Sequence, residues 1–161
     1  MDNSFNKILF LTSFCCMAID GEIASEEYSL LKEMSKQKIF GNIDIITDYY
    51  RCIEVLKQDG RNFINSYFQS IDNIQFEEDE KLRIIDVAVK TIYADNKIEY
   101  AEVKFFKSLC QHLSVANDII VKNNPDVDEY WLEEDILSKE YNDTFIDLID
   151  FSNINYEKSN S

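Results

Sequence analysis

Residues 8–18 form a nearly unbroken apolar run. Within it Phe10, Phe14 and Met17 fall at the i, i+4, i+7 spacing of a buried helical stripe. Asp20 and Gly21 stop that helix, because Gly tolerates the left-handed conformation that ends one. Ile23 then turns inward, and Tyr28, Leu31 and Met34 share one face of a second helix. Ser25 is its predicted cap, and Glu26 and Glu27 lie in its first turn, where negative charge suits the helix dipole. The same pattern returns further on, with Ile85, Val89 and Ile92, a stop at Asp95 and Asn96, Ile98 turned inward, and Val103, Phe106 and Leu109 on one face.

The two stretches stand 75 positions apart. Asp20 and Asp95, Ile23 and Ile98, Glu27 and Glu102, and Lys32 and Lys107 are identical pairs. Leu9 and Ile84, Leu30 and Phe105, and Met34 and Leu109 are among the pairs apolar in both. Four identities alone say little; agreement of the apolar pattern around them marks a repeat. Between the copies, residues 43–57 read as a helix with Ile46, Tyr49, Tyr50, Ile53 and Leu56 on one side. A break at Asp59 and Gly60 separates it from a second helix over residues 63–71.

This patterning predicts an all-α helical bundle of about seven to eight helices, with an internal pseudo-twofold duplication of a helix-turn-helix hairpin. Residues 1–116 form the helical domain, and residues 117–161 an acidic helical extension packed on it or trailing it. Asn124 reads as a cap with Pro125 at the first helical position. The helix so begun carries Val127, Tyr130, Trp131, Ile136 and Leu137, and Phe145, Leu148 and Ile149 suggest a last short one. Residues 152–161 are polar and read as a frayed end.

Composition narrows the classes. The chain has 161 residues, with three glycines and one proline, where average usage predicts about 19 of the two together. That scarcity fits helices joined by short turns and disfavours a β-sandwich. The net charge is −15. Phosphate contacts need clustered Lys and Arg, so nucleic acid is disfavoured, as are anionic membrane surfaces. Cations, basic proteins and basic peptides remain as partners. No stretch approaches the ~20 apolar residues of a membrane span.

Cys15, Cys16, Cys52 and Cys110 include no C-x-x-C pair. Their spacing therefore points neither to zinc nor to a redox motif. They read as core thiols in a reducing cytoplasm. The apolar run of residues 8–18 is like that of a signal peptide, but Asp2 offsets Lys7 ahead of it, and the repeat accounts for the run better.

The sequence Asp20-Gly21-x-Ile23-x-x-x-Glu27, entered from an apolar helix and repeated as Asp95-Asn96-x-Ile98-x-x-x-Glu102, resembles the TerB-like family, named for bacterial tellurite resistance. The likeness covers about residues 5–116. The family's usual form is Ala-Asp-Gly; here the first copy has Ile19 for Ala and the second has Asn96 for Gly. The resemblance implies an all-helical fold with internal pseudo-symmetry and no catalytic chemistry. It also implies a place in stress responses, tellurite and phage resistance among them, and a metal-binding role for the shared acids.

If the two hairpins pack about a pseudo-twofold axis, Asp20, Glu27, Asp95 and Glu102 meet. Four carboxylates in one place repel, and a bound cation relieves that cost. Hard oxygen ligands suit Ca²⁺, Mg²⁺ or Mn²⁺ better than Zn²⁺. The competing reading makes Asp20 and Asp95 turn residues, and Glu27 and Glu102 helix-start residues or partners of Lys32, Lys104 or Lys107. An EF-hand loop is rejected. Its first and third positions would fall on Cys16 and Ala18, and on Thr91 and Tyr93, none of them an acid.

The other candidates are weaker. His112 is the only histidine, and Cys110, two positions away, does not face it on a helix. The phosphate-binding and nucleophile-elbow glycine motifs are missing. Trp131 with Glu133, Glu134 and Asp135 is either a partner-docking surface or a helix covering the core. The run of acids at residues 77–80 is a solvated helix start. The expected function is therefore a non-enzymatic, stress-associated module that binds a divalent cation through Asp20, Glu27, Asp95 and Glu102. The alternative is a metal-independent adaptor whose acidic surface meets a basic protein partner.

Overall fold

The computed structural model describes residues 3–127, 131–132 and 150–158. Among these it is all-helical, with six α-helices: α1 (Asn3–Ala18), α2 (Ser25–Lys36), α3 (Ile45–Asn73), α4 (Glu78–Ile92), α5 (Tyr100–Leu113) and α6 (Asn117–Asn123). A 3-10 turn, Phe151–Asn153, lies near the C-terminal end of the described residues. No described helix is long and apolar enough to cross a membrane.

Helix α1 is the axis of the molecule. It packs most heavily on α4 and also touches α3 and α5. The expected stripe is wider than one face: Phe5, Ile8, Leu9, Phe10, Phe14, Cys15, Cys16, Met17 and Ala18 are all buried. A helix apolar on all sides is stable only when wrapped by others. Two of its three buried polar residues, Thr12 and Ser13, are satisfied, whereas Asn6 Oδ1 is buried without a hydrogen-bond partner. Thr12 Oγ1 donates to Ile8 O (2.7 Å) and lies 2.5 Å from the Tyr67 hydroxyl of α3. Ser13 Oγ lies 2.9 Å from Thr91 Oγ1 of α4, so a hydroxyl pair ties the first helices of the two hairpins.

The two helices expected between the hairpins are joined in α3. Its backbone leaves helical geometry at Asp59 (φ −157°, ψ 78°), so the predicted break is a kink. Asp59 Oδ1 accepts from Asn62 N (3.1 Å) and caps the second arm. Gly60 serves a close approach. A Cβ there would lie 2.2 Å from Phe151 Cδ2, so only Gly lets that ring seat against the kink.

Several expectations need correcting. Ser25 is the first residue of α2; the cap position is Ala24, which makes no side-chain cap bond. Asn124 ends α6 instead of starting a helix: its N–H donates to Ile120 O, and Val127 N donates back to Asn124 O (3.0 Å) in a turn. Residues 152–158 are docked, not frayed, with Phe151 and Ile154 buried. Trp131 is fully buried, stacked on Tyr93 and edge-on to Phe106, so it covers the core and is no docking surface. Glu133, Glu134 and Asp135, and the short helix expected around Phe145, Leu148 and Ile149, lie outside the described residues.

Ile120, Val127, Trp131, Phe151 and Ile154 belong to the same core as α1 to α5. All four cysteines are buried free thiols. Burial pushes their pKa values up, Cys52 to about 12, which leaves them protonated and unreactive.

Candidate functional site

The chain ending α1 and the chain ending α4 turn in the same way. Gly21 (φ +86°) and Asn96 (φ +59°) take the left-handed conformation expected of them. Gly21 N donates to Ala18 O (2.9 Å), and Asn96 N to Tyr93 O (3.3 Å). Asp20 Oδ1 accepts from Glu22 N (3.0 Å), and Asp95 Oδ1 from Lys97 N (3.0 Å). In both turns the aspartate holds the backbone two residues on, which fixes where its carboxyl points.

The glutamates also act alike. Glu27 Oε1 accepts from Ala24 N (2.9 Å), and Glu102 Oε1 from Glu99 N (3.0 Å). Each reaches back over the first turn of its own helix and satisfies a donor there. The turn-and-cap chemistry is therefore present in full. It does not account for burial. Glu80 makes the same reach-back bond to Glu77 N (2.8 Å) at the start of α4, in an exposed setting. Glu27 and Glu102 are only 4% and 2% exposed. Capping can be done at the surface, so burying two carboxyls is a cost that capping does not require.

Those two carboxyls respond accordingly. Burial, with the neighbouring charges of Glu102, Asp20 and Asp95, pushes Glu27 up to about 9. Burial, with Asp20, Asp95 and Glu99, pushes Glu102 up to about 8. Asp20 reaches the surface, yet crowding by the protein, with Glu99 and Glu22 beside it, raises it to about 6. The hairpins thus bring Asp20, Glu27, Asp95 and Glu102 within reach of one another's fields, and add Glu22 and Glu99, which the repeat pattern did not single out. At neutral pH the glutamates keep their protons unless a cation takes the protons' place.

Glu102 has a further property. Its Oε2 is buried without a hydrogen-bond partner. A buried polar atom left unpaired costs about 1–3 kcal/mol. Among the described residues, no three His, Cys, Asp or Glu side chains stand as a ready-made ligand group. Two of the three lysines weighed as partners of these glutamates lie over aromatic rings: Lys32 Nζ is 4.8 Å from the Tyr28 centroid, and Lys104 Nζ 5.2 Å from that of Tyr100. His112 is elsewhere, stacked on Phe68 with Nδ1 2.7 Å from Asp72 Oδ1.

Compared with models of known protein families, with characterised proteins and with solved structures, the chain gives no match.

Proposed function

We propose that the chain is a TerB-like, non-enzymatic stress-response module of the cytoplasm. It binds one hard divalent cation (Ca²⁺, Mg²⁺ or Mn²⁺) through Asp20, Glu27, Asp95 and Glu102. In this reading the two hairpins are copies related by a pseudo-twofold axis, and each contributes one Asp and one Glu. The observation that carries it is Glu102 Oε2, a buried carboxyl oxygen without a partner, in a carboxyl that feels Asp20 and Asp95. An ion there would satisfy that oxygen and neutralise the mutual repulsion in one step.

A metal-independent adaptor for a basic partner is favoured by a different observation. One oxygen of each buried glutamate is already engaged by a backbone N–H. Such an adaptor would form a salt-sensitive complex.

Thermal unfolding of chelator-stripped protein, with Ca²⁺, Mg²⁺, Mn²⁺ and Zn²⁺ added singly, separates the two. An ion at about 100 times its Kd stabilises by about 2.7 kcal/mol, which for this size of chain is a rise of roughly 5–11 °C. The expected result is a selective rise that disappears in Asp20→Ala and Asp95→Ala. No rise with any ion at millimolar concentration overturns the cation reading.

A further inference from the structure

The first acidic turn is held from outside by the far end of the chain. Asn155 N donates to Gly21 O (3.1 Å), and Ile23 N donates to Asn155 O (2.8 Å), a parallel bridge between Glu22 and Asn155. The segment carrying Asn155 is anchored elsewhere. Asp150 Oδ1 accepts from Ser152 N (3.0 Å) and caps the 3-10 turn. Phe151 fills the slot over Gly60 at the α3 kink, Ile154 is buried, and Tyr49 of α3 donates its hydroxyl proton to Glu157 O (2.8 Å). The bridged residues, Gly21 to Ile23, lie between Asp20 and the Ala24 whose N–H engages Glu27. Whatever fixes that short piece of backbone fixes both acids of the first hairpin.

We infer that residues 150–158 are a strap coupled to the paired-acid site: strap docking and cation binding favour each other through the Gly21–Ile23 backbone. The inference rests on the cation reading above and gives that site a regulator. The physical reason is linkage. A cation drawing in Asp20 and Glu27 selects the turn geometry that presents Gly21 O and the Ile23 N–H to Asn155. A docked strap in turn removes alternatives that the unbound turn would otherwise visit. The coupling must be reciprocal. The strap's grip on the turn is two backbone hydrogen bonds at an exposed residue, the kind of contact that opens locally without global unfolding. A partner that pulls residues 150–158 away would thereby loosen the site.

The test uses the full chain, stripped of metal. Mg²⁺, Ca²⁺ and Mn²⁺ are first titrated separately into the unsubstituted protein by calorimetry, then into Asn155→Pro, which lacks the N–H given to Gly21. The expected result is binding weakened by about fivefold or more, the lower end of typical site-to-site coupling. Amide exchange of Ile23 and Asn155 in the unsubstituted chain, with and without Mg²⁺ or Ca²⁺, decides the matter even if Asn155→Pro fails to fold. Both amides should exchange more slowly with the ion bound. Equal affinity in the two proteins, or unchanged exchange at saturating ion, overturns the strap and leaves the cation site standing. No binding to the unsubstituted chain removes both.

Discussion

The two hairpins make the same bonds within themselves and different bonds with the rest of the chain. Each ends its first helix with a left-handed residue, holds its turn with an aspartate, and starts its second helix with a glutamate reaching back. The first turn is then bridged by Asn155. The second hairpin is backed by the segment after α6: the Tyr93 hydroxyl donates to Asp126 O, and Trp131 stacks on the Tyr93 ring (5.3 Å between centroids). Ile23 is buried, whereas its counterpart Ile98 is half-buried. The comparison separates two kinds of requirement. The bonds inside each hairpin fix where four carboxyls point, and they are the same in both. The outer supports only need to hold each hairpin in place, and they can differ.

The largest effect expected from this comparison is at Trp131. Truncating a fully buried Trp removes packing on both Tyr93 and Phe106. Trp131→Ala should cost about 3–5 kcal/mol in urea unfolding. The loss should be local first, with amides of the second hairpin exchanging faster while Ile23 stays protected by Asn155. A cost below about 1 kcal/mol, or loosening shared equally by both hairpins, would show that the supports are not separate.

How much of this is visible in the chain follows from the same division. Asp20, Gly21 and Glu27, and Asp95, Asn96 and Glu102, are legible because turn and cap chemistry acts over two to four residues and needs particular side chains. The burial of Glu27 and Glu102 is legible only by inference, since a reach-back glutamate can equally sit at the surface, as Glu80 does. The strap is hidden for a different reason. It holds the first turn through backbone atoms, which any sequence offers, and through one ring placed over Gly60, more than 90 positions earlier. Asn124 and Pro125 mislead because Pro is common both at the first helical position and just past a helix end. Helix α6 precedes them with only seven residues, too few to show a period.

A second effect, read as a slope with pH, tests whether the buried glutamates of the two hairpins are equivalent. Both carboxyls bind a proton more tightly in the folded chain than in the unfolded one, at about 9 for Glu27 and about 8 for Glu102 against an ordinary 4.5. The stability that their neutral forms contribute is therefore complete below about pH 4.5 and is lost as pH rises through 8 and 9. Cation-free protein should melt at a higher temperature at pH 5 than at pH 9. General repulsion within a chain of net charge −15 acts in the same direction, so the slope alone assigns nothing. Glu27→Gln and Glu102→Gln isolate the site, because each keeps an oxygen for its backbone donor and removes the titration. Each should flatten the profile. If only one does, the hairpins differ in their chemistry as well as their supports.

The smallest effect sits at the left-handed residues. Gly21 has open space where a Cβ would point, so its requirement is conformational and not steric. Gly21→Ala should cost about 1–2 kcal/mol, the penalty of holding an L residue at positive φ. Asn96 meets the same backbone demand with a side chain that tolerates it, so Asn96→Gly should change stability by no more than about 0.5 kcal/mol. Thermal unfolding of the two single variants checks both. Near-neutrality at Asn96 with a clear loss at Gly21 would mean that the turns are interchangeable as backbone, and that only their coverings differ. A loss at Asn96 as large as that at Gly21 would mean that its side chain makes an interaction the first turn does without, and the likeness of the two hairpins would stop at the main chain.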